Sequence, residues 1–359
     1  MAAFVAVLCS CASGAATFEA TDASVRGEVI HLHGKPFFPV MLIDQCTTED
    51  AAHARSLGIN LILNEHCDGV SPERQLAMMN QRPLTVLEAA SSHVRGNGLV
   101  GWTYPDEPEN NNWTPQRLRD EFSVRRASPD GLVSFVTTGG GFFRAPFRDS
   151  RVDRSAYREY AQLADVAGFD LYPLGHCQKD LASVYDAQRQ FELIAGQMPT
   201  FQWIETGPIK PEYCGGFAMT PQELKAEAWL AVAGGARGIG FFTHTWSPDH
   251  KSFDVRPDIE RAIKLTTGLM SAVSPGLLGI TASSGVNSSA IKILARRDGK
   301  RTYVFAVNTY RAPVVAQIHV PRLANGTAAV FGERRTVSVG NARFNDRFSP
   351  LGVHVYVQG

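Results

Sequence analysis

Short apolar runs recur along this chain, and each ends on a polar residue, a proline or a glycine. They are "FFPVMLI" ending at Asp44, "NLIL" ending at Asn64, "LTVLEA" after Pro83 and "GLVGWTY" leading to Pro105. "GLVSFVTT" ends in Gly139-Gly140-Gly141, "VAGFDLY" ends at Pro173, "TFQWIE" ends at Glu205, and "RGIGFFTH" closes the series. Runs this short and this rich in Val, Ile, Phe and Trp predict buried strands. The segments between them have helical spacing and helix start signals. Thr48 to Leu57 is one, and Ser71-Pro72 supplies a cap followed by a proline that suits the first turn. Thr114 and Thr220 cap "TPQRLRDEFSVRRA" and "TPQELKAEAWLAVAGG", and a last helix starts near Pro257. After the third strand, "SSHVRGN" leaves room for a very short helix or none.

Eight strand–helix units in strict alternation predict a parallel sheet with helices on its faces. Eight also suffice to close the sheet into a (β/α)8 barrel, the TIM-barrel architecture. A doubly wound open sheet is the alternative. It would want a glycine-rich phosphate turn after its first strand, and "VMLIDQCTTED" has none. Ahead of the barrel, "EVIHLHGKPFFPVMLI" reads as a hairpin turning at Gly34-Lys35. From Gly276 the helical spacing stops. "SAIKILARRDGKRTYVFAVNTY" reads as two strands joined at Asp298-Gly299, and "APVVAQIHV", "GTAAVFG", "RTVSVG" and "VHVYV" follow with no helix. The expected domains are a leader over 1–16, a barrel over 17–275 and a small antiparallel β-sandwich over 276–359.

Composition narrows the partners. The chain has 359 residues, and 35 Lys and Arg balance 35 Asp and Glu. With no basic excess, nothing favours a nucleic-acid backbone. No internal segment is long and apolar enough to cross a bilayer. The opening "MAAFVAVLCSCASGAATFEA" has the apolar stretch and small-residue region of a secretory signal, though without its basic start. "LCSC" also matches a bacterial lipoprotein cleavage box, which makes Cys11 a candidate for lipid anchoring. The expected location is secreted or periplasmic.

Of 6 cysteines, Cys9 and Cys11 lie in the leader. Cys46 and Cys67 follow the first two barrel strands, and Cys177 and Cys214 follow the sixth and seventh. Only the pairing Cys46–Cys67 with Cys177–Cys214 joins neighbouring loops throughout, so an exported chain predicts those two disulfides.

In a barrel of this kind the chemistry sits at the C-terminal ends of the strands. The polar residues there are Asp44, Asn64, Glu88, Glu107, Thr138, Asp170 with Tyr172, Glu205, and His244 with Trp246. Glu107 and Glu205 stand out because the fourth and seventh strands face each other across a barrel. Carboxyls about 5–5.5 Å apart form the acid/base and nucleophile of a retaining glycosidase. Trp203 shares a side of its strand with Glu205. His31 and His33 in "HLH" and the stretch "NEHCD" (Asn64 to Asp68) suggest a metal, but "HLH" precedes the first barrel strand, so no metal centre is expected.

"GWTYPDEP" resembles the fourth-strand signature of clan A glycoside hydrolases, and "FQWIETG" resembles their seventh-strand ending. The C-terminal sandwich is a common attachment in that clan. The resemblance implies Glu107 as acid/base, Glu205 as nucleophile, no cofactor, and a glycoside or polysaccharide substrate. It implies substrate contacts from Asp106, Tyr172 and Trp246, and Asp44, Asn64 and Trp203 are expected to join them from their places at or beside the strand ends. In one respect the chain departs from the clan. Asp106 stands where the clan has an asparagine, and a carboxylate can accept a hydrogen bond from a sugar hydroxyl but cannot donate one. A barrel that binds sugar without turnover, and a transglycosylase, therefore remain as alternatives.

Overall fold

A computed structural model describes residues 22–65, 67, 69–80, 85–89, 94–123, 131–143, 153–208, 214, 217–245 and 250–359. The leader, with Cys9 and Cys11, lies outside these residues, and so does Trp246.

The chain enters as three antiparallel strands, β1 (Ala23–Arg26), β2 (Val29–Leu32) and β3 (Lys35–Phe37). The expected hairpin is therefore one strand larger. The run "FFPVMLI" is also broken. Pro39 has no N–H for a ladder, and the first barrel strand, β4, starts beyond it at Val40–Ile43. β5 (Leu61–Asn64), β6 (Thr85–Ala89), β7 (Leu99–Thr103), β8 (Val133–Thr138), β9 (Val166–Asp170), β10 (Thr200–Glu205) and β11 (Gly238–Phe242) follow. They pair in parallel in chain order and close into a barrel through β11 against β4. The fold class read from the strand–helix alternation is the one observed.

The helices are α1 (Thr48–Ser56), α2 (Pro72–Asn80), α3 (Pro115–Glu121), α4 (Ala156–Ala161), α5 (Ala182–Ala195), α6 (Pro221–Gly234), α7 (Pro257–Ala272) and α8 (Ser274–Leu278). The start signals act as expected. Thr114 accepts from the Arg117 N–H, and Thr220 forms a full capping box with Glu223. Between β6 and β7 no helix occurs among the described residues.

Inward-facing side chains fill the barrel. Met41, Leu61, Leu63, Val100, Val133, Phe135, Val166, Phe201 and Trp203 form one cluster. Ala23 and Ile30 of the leading sheet belong to it, and the Ala23 N–H reaches the carbonyl of Gly131 just before β8, so that sheet covers the bottom. The top, where the strands end, remains for chemistry.

The C-terminal module starts later than Gly276, which falls inside α8. It comprises β12 (Ile280–Ala282), β13 (Gly285–Val286), β14 (Ile291–Asp298), β15 (Arg301–Asn308), β16 (Val314–His319), β17 (Gly326–Val330), β18 (Arg335–Val339), β19 (Arg343–Phe348) and β20 (Val353–Gln358). They form a six-stranded sheet, β12-β14-β15-β20-β17-β18, and a three-stranded sheet, β13-β16-β19, both antiparallel. The β14–β15 loop is Gly299-Lys300, one residue later than expected, because Asp298 pairs with Arg301. The larger sheet lies against α6, where Trp229 stacks on Phe305 at 5.7 Å between ring centres.

Candidate active site

The barrel mouth carries a ring of carboxyls. At the end of β4, buried Asp44 accepts the Glu65 N–H at 2.6 Å and thereby fixes the end of β5. Asp44 has φ 45° and Glu107 has φ 40°. This left-handed region disfavours residues with a Cβ, and such strain concentrates at functional sites. Asn64, also buried, donates to Glu88 at 3.3 Å. Burial pushes the Glu88 carboxyl up to about 7.

Glu107 extends over the end of β8. Its carboxylate accepts from the Asn110 side chain at 3.0 Å, and Asp170 at the end of β9 bonds to it side chain to side chain. A Cβ on Gly139 would sit 2.9 Å from Glu107 Oε1 and 3.3 Å from Glu109 Oε1, so only a glycine permits this approach. The Gly139 N–H donates to Glu109 at 2.5 Å. Glu109 is pushed up to about 8, chiefly by loss of water, with Glu107 and Asp106 adding repulsion. Asp170 lies deep in the mouth. That depth, then the charges of Glu107 and Asp106, holds its carboxyl well above the usual range. Asp170 is therefore the protonated partner, donating to Glu107. Glu65 is raised for similar reasons: loss of water first, then Asp106 and Asp44. Asp106, Glu65, Asn111 and Trp113 line a cleft of about 510 Å³, and the Arg117 guanidinium lies 3.7 Å over the Trp113 ring.

Glu205 ends β10, 1% exposed. Its two oxygens accept the backbone N–H groups of Leu174 and Gly175 at 2.8 and 2.7 Å. Its side-chain neighbour is Glu227 on α6. Burial raises Glu205 against the pull of the two amides and the bond from Glu227. It raises Glu227, which has no such donors among the described residues, further still, so the proton of the pair lies on Glu227. The residues in direct contact with Glu107 are thus Asp170 and Asn110, and those with Glu205 are Leu174, Gly175 and Glu227. The two glutamates share Tyr172. Its buried phenol is raised well above its usual value by loss of water, then by Asp170, Asp106, Glu107 and Glu205. Tyr172 itself packs on Phe242, 5.6 Å between ring centres.

Trp203 is 4% exposed in the barrel interior and donates its indole N–H to Thr137 at 3.3 Å. His244 ends β11 buried, its Nε2 on the Ile43 carbonyl and its Nδ1 on His250, both at 3.1 Å. His31 lies in β2 and His33 in the turn after it, on the closed end. Both expected disulfides are present, Cys46–Cys67 and Cys177–Cys214. They brace the loops that carry Glu65 and Gly175.

Sequence reasoning missed Glu65, Glu109 and Glu227, and gave Asp170 no role. Glu227 had a signal: it lies in "LKAEAWLAVAGG", three residues after Leu224 on the apolar side of its helix. Glu65 and Glu109 are ordinary loop residues in the sequence, and only the folded mouth gathers them.

No protein-family model matches the chain, and no curated protein matches it in sequence. Solved structures do match its shape. An alpha-amylase from Geobacillus thermoleovorans aligns over 89% of this chain and 98% of its own at 10% identity, with a TM-score of 0.63. Amy13B of Eubacterium rectale aligns over 94% and 97% at 11% identity, TM-score 0.58. A GH30 endoxylanase from Clostridium papyrosolvens aligns over 95% and 98% at 12% identity, TM-score 0.50. At such identities the likeness establishes the fold: a closed (β/α)8 barrel with a C-terminal β module.

Proposed function

We propose that this chain is an exported glycoside hydrolase of retaining type. The observation that carries the reading is that Glu107 and Glu205, from the ends of two different barrel strands, both meet the end of β9 and its loop: Asp170 bonds the first, and the N–H groups of Leu174 and Gly175 hold the second. The shape shared with an alpha-amylase and an endoxylanase supports it. Glu107 accepts a hydrogen bond from the protonated Asp170, takes that shared proton and passes it to the leaving glycosidic oxygen, and the proton it later takes from water restores the pair. Glu205, fed by two backbone N–H donors, is the nucleophile that forms the glycosyl-enzyme. Asp106 and Asn64 contribute polar contacts to the sugar, Asp44 orders the β5 end, and Tyr172 and Trp203 form the floor. Trp246, beyond the described residues, is proposed as a stacking surface. The disulfides fit an oxidising compartment.

A panel of aryl glycosides with detection of released phenol tests the activity. On a glycoside it accepts, Glu107→Ala should form glycosyl-enzyme from a dinitrophenyl leaving group, and added azide should give a glycosyl azide of retained configuration. Equal fractional losses on good and poor leaving groups, with no azide effect, would remove Glu107 from the acid/base role. Sugar binding without release from any glycoside would point to a binding protein instead.

A further inference from the structure

Glu227 is fully buried, and neither of its carboxyl oxygens meets a hydrogen-bond donor among the described residues. Its neighbour is the side chain of Glu205, within hydrogen-bond reach. Two carboxylates cannot share a dry contact as two anions, so one proton must lie between them. The surroundings decide which side holds it. Glu205 receives the N–H groups of Leu174 and Gly175, one on each oxygen, and backbone donors stabilise an anion. Glu227 receives none. The other charges nearby are Glu223, one turn earlier on α6, and Arg311 from the C-terminal module. Arg311 is committed to Glu223 at 2.6 Å and is 46% exposed, so it does little to hold an anion at Glu227.

We propose that Glu227 is the positioning residue of Glu205: a neutral carboxylic acid that donates a hydrogen bond to Glu205, keeping it anionic and fixed in orientation. Helix α6 is well placed for this. Its Trp229 packs on the β module while Glu227 meets the barrel end. The inference deepens the glycosidase reading and rests on it for the kinetic arm of its test. The proton has a readout of its own.

Infrared difference spectra at neutral pH, wild type against Glu227→Gln, should show the loss of one protonated-carboxyl band. No loss would overturn the proposal, whether or not the protein is a glycosidase. In kinetics, Glu227→Gln retains an N–H donor and should keep kcat and the acidic limb of kcat/KM close to wild type. Glu227→Leu fills the volume without a donor, and the acidic limb should move up by about one pH unit, with kcat rather than KM carrying the loss. Matching losses in both variants with an unmoved limb would reduce Glu227 to packing. A limb shifted down in both would mark Glu227 as an anion. Either result overturns the proposal, and near-UV circular dichroism verifies the fold of each variant. A wild type that turns over no glycoside would defeat the glycosidase reading and leave the infrared result standing.

Discussion

Glu107 and Glu205 each pair with a second carboxyl, and the two pairs are held in opposite ways. Glu107 takes its hydrogen bonds from side chains, Asn110 and Asp170, at a strained and half-buried backbone position. Glu205 takes its from two backbone N–H groups and sits 1% exposed beneath the loop that supplies them. Side-chain partners can turn away and let a proton leave. Backbone donors are fixed by the fold and favour one charge state throughout. The contrast fits the roles proposed for them, one gaining and losing a proton in each cycle and the other staying an anion until it attacks.

The largest effect should separate the two glutamates. Glu205→Gln should lower kcat by about 10⁴-fold or more on every substrate, because no covalent intermediate can form. Glu107→Gln should cost about 10²–10⁴-fold on poor leaving groups and much less on good ones. Steady-state rates on a leaving-group series measure both. Identical dependence on the leaving group would break the comparison.

The disulfides come next. Removing either one as a double serine variant should cost about 3–4 kcal/mol of stability, read from urea midpoints, given the 37- and 21-residue separations. Activity should distinguish them. Cys177–Cys214 closes the loop that carries Leu174 and Gly175, so its loss should lower kcat under folding conditions more than loss of Cys46–Cys67. Equal kcat in the two variants would mean that the loop needs no brace to hold Glu205.

A smaller shift should come from Asp170. Asp170 and Glu107 release their protons in two steps that belong to the pair. While either remains protonated, the like charge of its neighbour resists loss of the last proton. Asp170→Asn removes the carboxyl that is held above its usual range, and with it the proton the pair keeps at neutral pH. The alkaline limb of kcat/KM should move down by about one unit, a tenfold loss of rate above the limb. An unmoved limb would disconnect the pair.

The sequence was most legible where period and punctuation agree. Eight apolar runs ending on polar residues, with capped helices between them, could form little except a closed barrel. Neighbouring loops also specified both disulfides. It was least legible where a partner comes from far along the chain. Glu227 reads as one charge in an alanine-rich helix, and only packing between barrel and β module shows that it faces Glu205. β19, "RFNDRF", escaped notice because its outward side is polar and its two phenylalanines alone mark the buried face. The third strand of the leading sheet was missed for a related reason, since β1 (ASVR) carries little apolar signal.

The mildest expectation concerns stability against pH, and it tests the burial that both pairs share with two other carboxyls of the barrel mouth. Glu88 is raised to about 7 and Glu109 to about 8, both chiefly by burial. An unfolded glutamate titrates near 4.3. From roughly that pH up to each folded value, the native state holds protons that the unfolded chain has released. Stability is therefore fully present below the unfolded value and falls as pH rises through the folded one. Each group contributes a slope of at most about 1.4 kcal/mol per pH unit across its window. Urea midpoints should fall steadily from pH 5 to pH 8. In Glu88→Gln the fall should be shallower below pH 7 and unchanged above it, where Glu109 still titrates. A midpoint that rises over this range would mean that these carboxyls enter the fold ionised, and the same burial argument that keeps Asp170 and Glu227 protonated would lose its support.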